Sequence, residues 1–471
     1  YNLLTMGVMG KWILTGNIAR TDNVTMKFTP QGQGMLIQTT FTNLSGHRIE
    51  NTEHFSPFIC TLSHEPDKLL CNRFCRANGN LVNEMQSAID SIRTTDGTEY
   101  HSADFCAYES KDEDGNQISG IFGFASYEKY FSAVKMTREG RIEAYQFLES
   151  HPLDIGQEIV SDLVYLSPCS DIPSSGIPEF IELCAHLAQA PVVKERAVCG
   201  FCTWYYYGPG VDQEIIRENM EVLDRHKTDI PVEYVQIDDG WYDNWGDWNP
   251  NKKFSYDMKA MADEIKTHGY LPGIWLAPFG ASEKSKLFQN HPEYFVKTKD
   301  GAIWKNLSLD FSNPEVCQYM YDLFHRISYD WGFRYIKMDI ITGTLAPGVH
   351  QNPGFTALQN YRAGLRLIRS AVTEDTFLLA CTAPLAPAAG LVDGMRVSCD
   401  IFERWESLIN VFNAVLKRYY YHNVFFINDA DCLIIREAEE EDNQCFRLCT
   451  RTEKELKTYI TAAAASGGIV M

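Results

Sequence analysis

Two aspartates just beyond short apolar runs are the residues in this chain best suited to chemistry. Asp339 closes Tyr335-Ile336-Lys337-Met338-Asp339, and Asp400 closes Met395-Arg396-Val397-Ser398-Cys399-Asp400. Each run carries a cation at an even spacing, Lys337 two residues before Asp339 and Arg396 four before Asp400. Side chains alternate along a strand, so even spacing puts cation and carboxylate on one face. Two carboxylates with cations able to grip hydroxyls meet the needs of glycoside hydrolysis, where one attacks or stabilises and the other gives and takes a proton. Bland readings compete: Asp339 with Lys337 as a structural ion pair, and Asp238-Asp239 as a turn or capping pair. Asp429-Ala430-Asp431 reads first as a loop or structural hydrogen-bond site. Clustered aspartates also suit Ca²⁺ or Mg²⁺, but the interleaved Lys337 and Arg396 disfavour a metal.

The elements that must position these residues change character along the chain. Residues 1 to about 170 read as short strands with turn signals, for example Met35–Phe41, Ile121–Phe124, Tyr130–Val134 and Ile159–Tyr165, which suggests a β-sandwich. Pro173-Ser174-Ser175-Gly176-Ile177-Pro178 breaks this pattern, and Phe180–Ala190 reads as a helical connector. From about residue 197 strands and helices alternate. The strand candidates are Val198–Trp204, Val232–Ile237, Leu271–Leu276, Tyr335–Met338, Phe377–Ala380, Met395–Ser398, Val424–Ile427 and Gly468–Met471. Amphipathic helices at Asp212–His226, Met258–His268, Pro314–Trp331, Phe355–Val372 and Leu408–Tyr421 separate them. Eight strands with intervening helices predict an α/β fold of the (β/α)8 TIM-barrel type. An open doubly wound sheet is the alternative, without a GxGxxG after the first strand to support a dinucleotide site. The expected domains are a β-sandwich at 1–178, a helical linker at 179–196 and a barrel at 197–471 that ends at its eighth strand, with no C-terminal β domain.

In such a barrel, catalytic groups gather where strands end. Those ends here carry Trp204, Asp238, Asp239, Trp275, Lys337, Asp339, Cys381, Arg396, Asp400, Asp429 and Asp431. Carboxylates and cations bond sugar hydroxyls, and eight of nine tryptophans lie after residue 200, where they could stack on a sugar or fill a core.

Composition narrows the partners. The 471 residues are 45% hydrophobic with a net charge of −20, which argues against nucleic acid or an anionic membrane as partner. No apolar run approaches the roughly 20 residues a membrane span needs. The N-terminal Tyr1-Asn2-Leu3-Leu4 lacks a signal-peptide pattern and a starting Met, which suggests missing or processed residues. Fourteen scattered cysteines read as free thiols of a cytoplasmic protein. Cys199 and Cys202, Cys71 and Cys75, and Cys445 and Cys449 are close pairs, and core packing is favoured over zinc or redox chemistry. Neither metal nor organic cofactor is expected.

At these residues the chain resembles α-galactosidases of glycoside hydrolase family 36, in the clan shared with family 27. The carrying segments are Gly200-Phe201-Cys202-Thr203-Trp204-Tyr205, Ile237-Asp238-Asp239-Gly240-Trp241, Pro272–Phe279, Tyr335–Asp339, Asp393–Asp400 and Asn428–Leu433. The resemblance is detailed over about 197–471 and only one of type before that. It implies a retaining, double-displacement mechanism with Asp339 as nucleophile and Asp400 as acid/base. It also implies Asp238 and Asp239 on the galactose O4 and O6 hydroxyls, Lys337 and Arg396 on ring hydroxyls, Cys381 near O2, and Trp204 and Trp275 lining the pocket. The substrate would be a small oligosaccharide with terminal α-galactose, and a homo-oligomer is possible. Cys381-Thr382-Ala383-Pro384 stands where a glycine-rich loop is common, and Cys399–Trp405 departs on the leaving-group side. Alternatives are an α-N-acetylgalactosaminidase or α-galactosyl transferase of the clan, or a sugar-binding relative without turnover.

Overall fold

In the computed structural model, the residues described are 13–50, 53–62, 65–66, 68–71, 99–137, 139–149, 151–191, 193, 198–401, 405–435 and 452–471. Tyr1–Leu4, Cys75, Cys445 and Cys449 lie outside them, as does the middle of the Cys399–Trp405 departure. The chain forms two compact units, one of Tyr1–Ala190 with Gly354–Gln359 and one of Pro191–Pro353 with Asn360–Met471.

The first unit is built of two antiparallel sheets. The larger orders Ile13–Thr15, Ile18–Arg20, Val24–Gln31, Gly34–Thr42, Val164–Cys169, Gln117–Phe124, Phe105–Lys111 and Lys68–Cys71, with Glu158–Val160 also paired to Gly34–Thr42. The smaller orders His54–Thr61, Arg141–Phe147, Ser132–Thr137 and Glu99–Ser102. Phe58 of the smaller sheet meets Phe122 of the larger with ring centroids 5.9 Å apart, and both are buried.

One expectation fails here for a local reason. Ile159–Tyr165 is two strands rather than one, because side chains capture the backbone between them. Ser161 Oγ accepts from the Thr39 amide, and Asp162 accepts from Ser126 Oγ, the Glu128 amide and Gln146 Nε2. Pro173–Pro178 does break the strand pattern, and it does so by starting a helix. Asp171 caps a π-helical turn, Ile172–Gly176, that runs straight into the Ile177–Leu187 helix, where proline is tolerated because the first N–H groups lack partners anyway. That helix buries Phe180 against Phe105 and Tyr165.

The second unit holds a parallel sheet of seven strands in sequence order: β1 (Gly200–Cys202), β2 (Tyr234–Ile237), β3 (Leu271–Leu276), β4 (Tyr335–Met338), β5 (Phe377–Ala380), β6 (Gly394–Arg396) and β7 (Ile427–Asp429). Nearly all of their residues are buried, as expected of a parallel sheet covered on both faces. Isolated parallel bridges join Ile469 to Asp429 and Val470 to Cys199, so Gly468–Met471 runs beside both β7 and β1. Helices at Gln213–Arg225, Met258–Thr267, Pro314–His325, Ala357–Ala371, Trp405–Lys417 and Glu453–Ala465 lie between or after the strands.

Strands β3, β4 and β5 have the boundaries read from sequence. The last strands differ. Val424 and Phe425 belong to turns after the Tyr419–Tyr421 3₁₀ turn, and β7 begins only at Ile427. The first strand stops at Cys202, and Trp204–Tyr207 winds into one helical turn.

One face of this sheet is layered. Val198, Tyr234, Tyr335, Phe377, Leu379, Ile427 and Ile469 form a buried apolar cluster. Stepping two residues along each strand reaches Gln236, Lys337 and Asp429, and stepping four reaches Asp238, Asp339, Cys381 and Asp431. Gly273 makes space in this stack: a Cβ there would meet Gln236 Cβ at 3.1 Å and Tyr335 Cδ1 at 3.3 Å.

The buried Asp162 should matter to the first unit's stability. Asp162→Ala strands the amide of Gln146, itself fully buried, and the amide of Glu128. We expect a loss of about 3 kcal/mol, measured as a lowered urea midpoint at unchanged m-value.

Candidate active site

Every residue singled out at the strand ends is among those described. Asp339 follows β4, with its backbone N–H donating to the Leu276 carbonyl at 2.8 Å. Three donors hold its carboxylate. The Ile340 amide (2.6 Å) and the Thr382 hydroxyl (2.8 Å) both donate to Oδ1, and the Trp275 indole N–H donates to Oδ2 at 3.1 Å. Burial alone would raise its pKa, but Lys337 and these three donors outweigh it and hold the carboxyl below its ordinary value.

Lys337 is 8% exposed at its side chain, and its ammonium donates to Asp238 Oδ2 at 3.1 Å. Burial disfavours this charge, yet Asp238 holds the lysine pKa well above its ordinary value. Asp238 is committed to protein donors. Its Oδ2 also accepts from Gln236 Nε2 (2.6 Å) and Cys202 Sγ (3.5 Å), and its Oδ1 accepts from the Asp239 amide (2.9 Å). Asp239 is half-buried and faces elsewhere, accepting from Tyr242 Oη at 2.6 Å. Burial raises the Asp239 pKa, opposed by the Tyr242 hydroxyl and reinforced by Asp238.

Arg396 ends β6 and is 4% exposed. Its Nε donates to Asp429 Oδ2 (2.9 Å), its Nη1 to Asp400 Oδ1 (3.2 Å), and its Nη2 pairs with Asp431 Oδ1 (2.7 Å). Asp429 and Asp431 are nearly inaccessible, whereas the Asp400 side chain is 55% exposed. Asp431 also accepts from the Tyr205 hydroxyl and the Ile401 amide. Partial desolvation raises the Asp400 pKa, Arg396 opposes it, and Asp431 and Asp339 reinforce it. The two candidate catalytic carboxyls are thus pushed in opposite directions and feel each other's charge.

Trp275 is 3% exposed and sits in an aromatic cluster with Tyr242, Trp245 and Trp248. Trp241 and Trp248 are also fully buried. Core packing therefore accounts for much of the tryptophan clustering, and Trp275 meets Asp339 through its N–H edge. Trp204 is half-buried on the helical turn after β1. Cys381 is buried beside Asp339, Arg396 and Lys337, and burial holds its thiol protonated. Cys199 and Cys202 are three apart on one extended run, so they face opposite sides; Cys202 meets Asp238 and Cys432 instead. Among the described residues no three His, Cys, Asp or Glu side chains gather as metal ligands, and no helix is long and apolar enough to cross a membrane.

Sequence reasoning missed Tyr205 and Thr382 as parts of the site. Tyr205 lay inside a recognised motif, and Thr382 in a loop noted only for its departure. Asp429 and Asp431, which read from sequence as a loop or structural hydrogen-bond site, hold the Arg396 guanidinium.

Known proteins resemble this chain in part of its sequence and in its fold. The Melibiase family model matches residues 210–365. The chain is 33% identical over 126 residues to an A type blood α-D-galactosamine galactosaminidase of Flavonifractor plautii, and 26% identical over 134 residues to α-galactosidase AgaA of Geobacillus stearothermophilus. Those segments span 23% and 26% of this chain but only 12% and 18% of the two relatives. Among solved structures, α-galactosidase TtGalA of Thermus thermophilus in complex with stachyose superposes at a TM-score of 0.63 and 18% identity, covering 98% of this chain and 95% of that one. A variant of the GH36 α-galactosidase AgaA, also with stachyose, gives 0.61 at 14% identity, covering 95% of this chain and 68% of that one. The chain thus has an α/β fold similar to that of GH36 α-galactosidases, and its resemblance to that family rests on both sequence and fold.

The Lys337–Asp238 pair should be strongly coupled. Lys337→Met leaves Asp238 charged and buried without its cation, and we expect a loss of about 3–5 kcal/mol. Asp238→Asn added to Lys337→Met should recover part of it, so a double-mutant cycle in chemical denaturation should give a large coupling energy.

Proposed function

We propose that this protein is a retaining α-galactosidase that removes terminal α-linked galactose from small oligosaccharides by double displacement. The single observation that carries the reading is the contrast between two carboxyls beyond the ends of β4 and β6, one enclosed by three donors and the other half-exposed beside Arg396. Asp339 is held ionised by Lys337 and three donors, and Asp400 is pushed toward its protonated form on a side chain that is 55% exposed. In this reading Asp400 gives its proton to the glycosidic oxygen as Asp339 attacks the anomeric carbon. Asp400, then ionised, draws a proton from the water that releases the sugar.

The finer architecture belongs to the same proposal: a β-sandwich at 1–178, a linker at 179–196, and a closed (β/α)8 barrel at 197–471. The bridges of Ile469 to Asp429 and of Val470 to Cys199 support closure. Asp239, half-buried with Tyr242 on one oxygen, is the better of the acidic pair for a sugar hydroxyl. Lys337 and Arg396 act mainly through the carboxylates they hold, and Cys381 and the Thr382 loop bound the space near O2. Cytoplasmic location rests on the cysteine composition, and self-association on the family resemblance alone.

An aryl α-galactoside assay tests the activity directly. Asp339→Ala should abolish turnover, and a fluorinated α-galactoside should label a peptide containing Asp339. Label on Asp238 or Asp400 would overturn the assignment. Asp400→Ala should hurt alkyl galactosides more than aryl ones, with azide restoring the second step. With the Asp339 pKa lowered and the Asp400 pKa raised, kcat/KM should rise as Asp339 ionises and fall as pH climbs through the Asp400 pKa. Asp400→Asn should remove that basic limb.

The sugar itself is tested by comparing kcat/KM for aryl α-galactoside, α-glucoside and α-N-acetylgalactosaminide. A site that pairs hydroxyls rejects an analogue leaving them unpaired by ~10⁴-fold or more, so galactoside should lead. The similarity to a galactosamine-acting relative makes the amino sugar the second reading, and a lead for the acetamido sugar would establish it. Transfer to sugar acceptors or binding without turnover would appear in the same assay.

A further inference from the structure

Two residues that flank Asp339 adopt a backbone conformation their side chains disfavour. Ile340 has φ 57° and Thr382 has φ 48°, in the left-handed region where a β-branched residue is an outlier. Such residues persist only where surrounding contacts over-determine them, and they cluster at functional sites. Here both are donors to one atom: the Ile340 amide and the Thr382 hydroxyl converge on Asp339 Oδ1. The loop carrying Thr382 is anchored in turn, because its carbonyl accepts from both the amide and the hydroxyl of Thr342, each at 2.7 Å. Thr342 lies in the helical turn Ile341–Thr344, which Ile340 opens. The chain therefore closes a ring from Asp339 through Ile340, Thr342 and Thr382 back to Asp339.

A carboxylate oxygen offers about two lone-pair sites. Both on Oδ1 are taken, while among the described residues Oδ2 receives only the Trp275 indole N–H. The two oxygens of Asp339 are thus unequal before any substrate arrives. We infer that Thr382 is a positioning residue that, with Ile340, ties down Asp339 Oδ1 and leaves Oδ2 as the oxygen that attacks the sugar. This rests on the α-galactosidase reading above. In the step it serves, a bond forms between Oδ2 and the anomeric carbon, the bond to the leaving oxygen breaks with its electron pair, and the Asp400 proton goes to that oxygen. The lone pair of Oδ2 not engaged by Trp275 is the one available to bond.

Thr382→Val tests the inference, since valine keeps the shape and the backbone strain and removes only the hydroxyl. We expect kcat/KM on an aryl α-galactoside to fall about 10- to 100-fold, the range for a hydrogen bond to a charged group. We also expect the acid limb of the pH profile to move to higher pH as Asp339 loses a donor. Thr382→Ser, which keeps the hydroxyl, should stay within about threefold of the parent. A readout free of activity is the ¹³C carboxyl titration of Asp339, assigned by its disappearance in Asp339→Asn, which should shift upward in Thr382→Val and not in Thr382→Ser. An unmoved titration in Thr382→Val overturns the inference, whether activity is kept or is lost along with unfolding stability. Equal loss in the serine and valine variants also overturns it. A parent protein inactive on every α-galactoside refutes the proposed function instead, and the titration alone then decides whether Thr382 governs Asp339.

Discussion

Charge balance at the buried strand ends is the constraint on which the rest of the second unit depends. Lys337 and Arg396 are nearly inaccessible, as are Asp238, Asp429 and Asp431. Each such charge costs several kcal/mol to desolvate unless it is paired and hydrogen-bonded. The strands meet this by register. Lys337 lies level with Trp275 and Leu379, which brings its ammonium to Asp238 across the face. Arg396 lies level with Asp429, and its fork spreads over three carboxylates in a way a lysine could not match. Asp429 and Asp431 take two arms of the guanidinium and its buried side, so the remaining contact to Asp400 is at the solvent edge. The Asp400 side chain is thus anchored to Arg396 while remaining 55% exposed.

Much of this was legible in the sequence because parity along a strand survives small errors in boundaries. Lys337 with Asp339, and Asp429 with Asp431, are two apart and must share a face wherever the strand begins. The exact limits of β3, β4 and β5 followed from short, largely apolar runs, closed at β4 by Asp339. What sequence could not carry was pairing between distant segments. Tyr205 and Asp431 are 226 positions apart, and Thr382 meets Asp339 across 43 positions, from a loop whose carbonyl Thr342 holds. The shift of the last strand from Val424 to Ile427 has a similar cause: a run of aromatic residues reads as strand, but Tyr421 and Phe425 stack across a turn.

The tryptophans show how a compositional signal can be right about place and incomplete about role. They gather near the candidate site, yet Trp241, Trp248 and Trp275 are buried and packed edge to face, tilted or stacked against Tyr242 and one another. Their area sets a rigid wall, and Trp275 spends its one polar atom on Asp339. A wall of this kind fixes the carboxylate more firmly than a loop would, since a shift of Asp339 would open an aromatic cluster or abandon an indole N–H in an apolar setting.

Adjacent Asp238 and Asp239 are chemically identical but cannot do the same work. Asp238 ends the alternating run of β2 on the face that carries Gln236, and its oxygens are taken by Lys337, Gln236, Cys202 and the Asp239 amide. Asp239 comes one position later, where Gly240, at φ 123°, turns the chain so tightly that a Cβ would meet the Pro209 carbonyl oxygen at 2.7 Å. Its side chain leaves the strand's face and meets Tyr242. On the proposed reading, Asp238 sets the electrostatics beneath the sugar and Asp239 supplies the acceptor that reads its hydroxyls. The division follows from a single step in strand parity: one carboxylate neutralises the lysine that keeps Asp339 ionised, and that leaves the other to recognise the substrate.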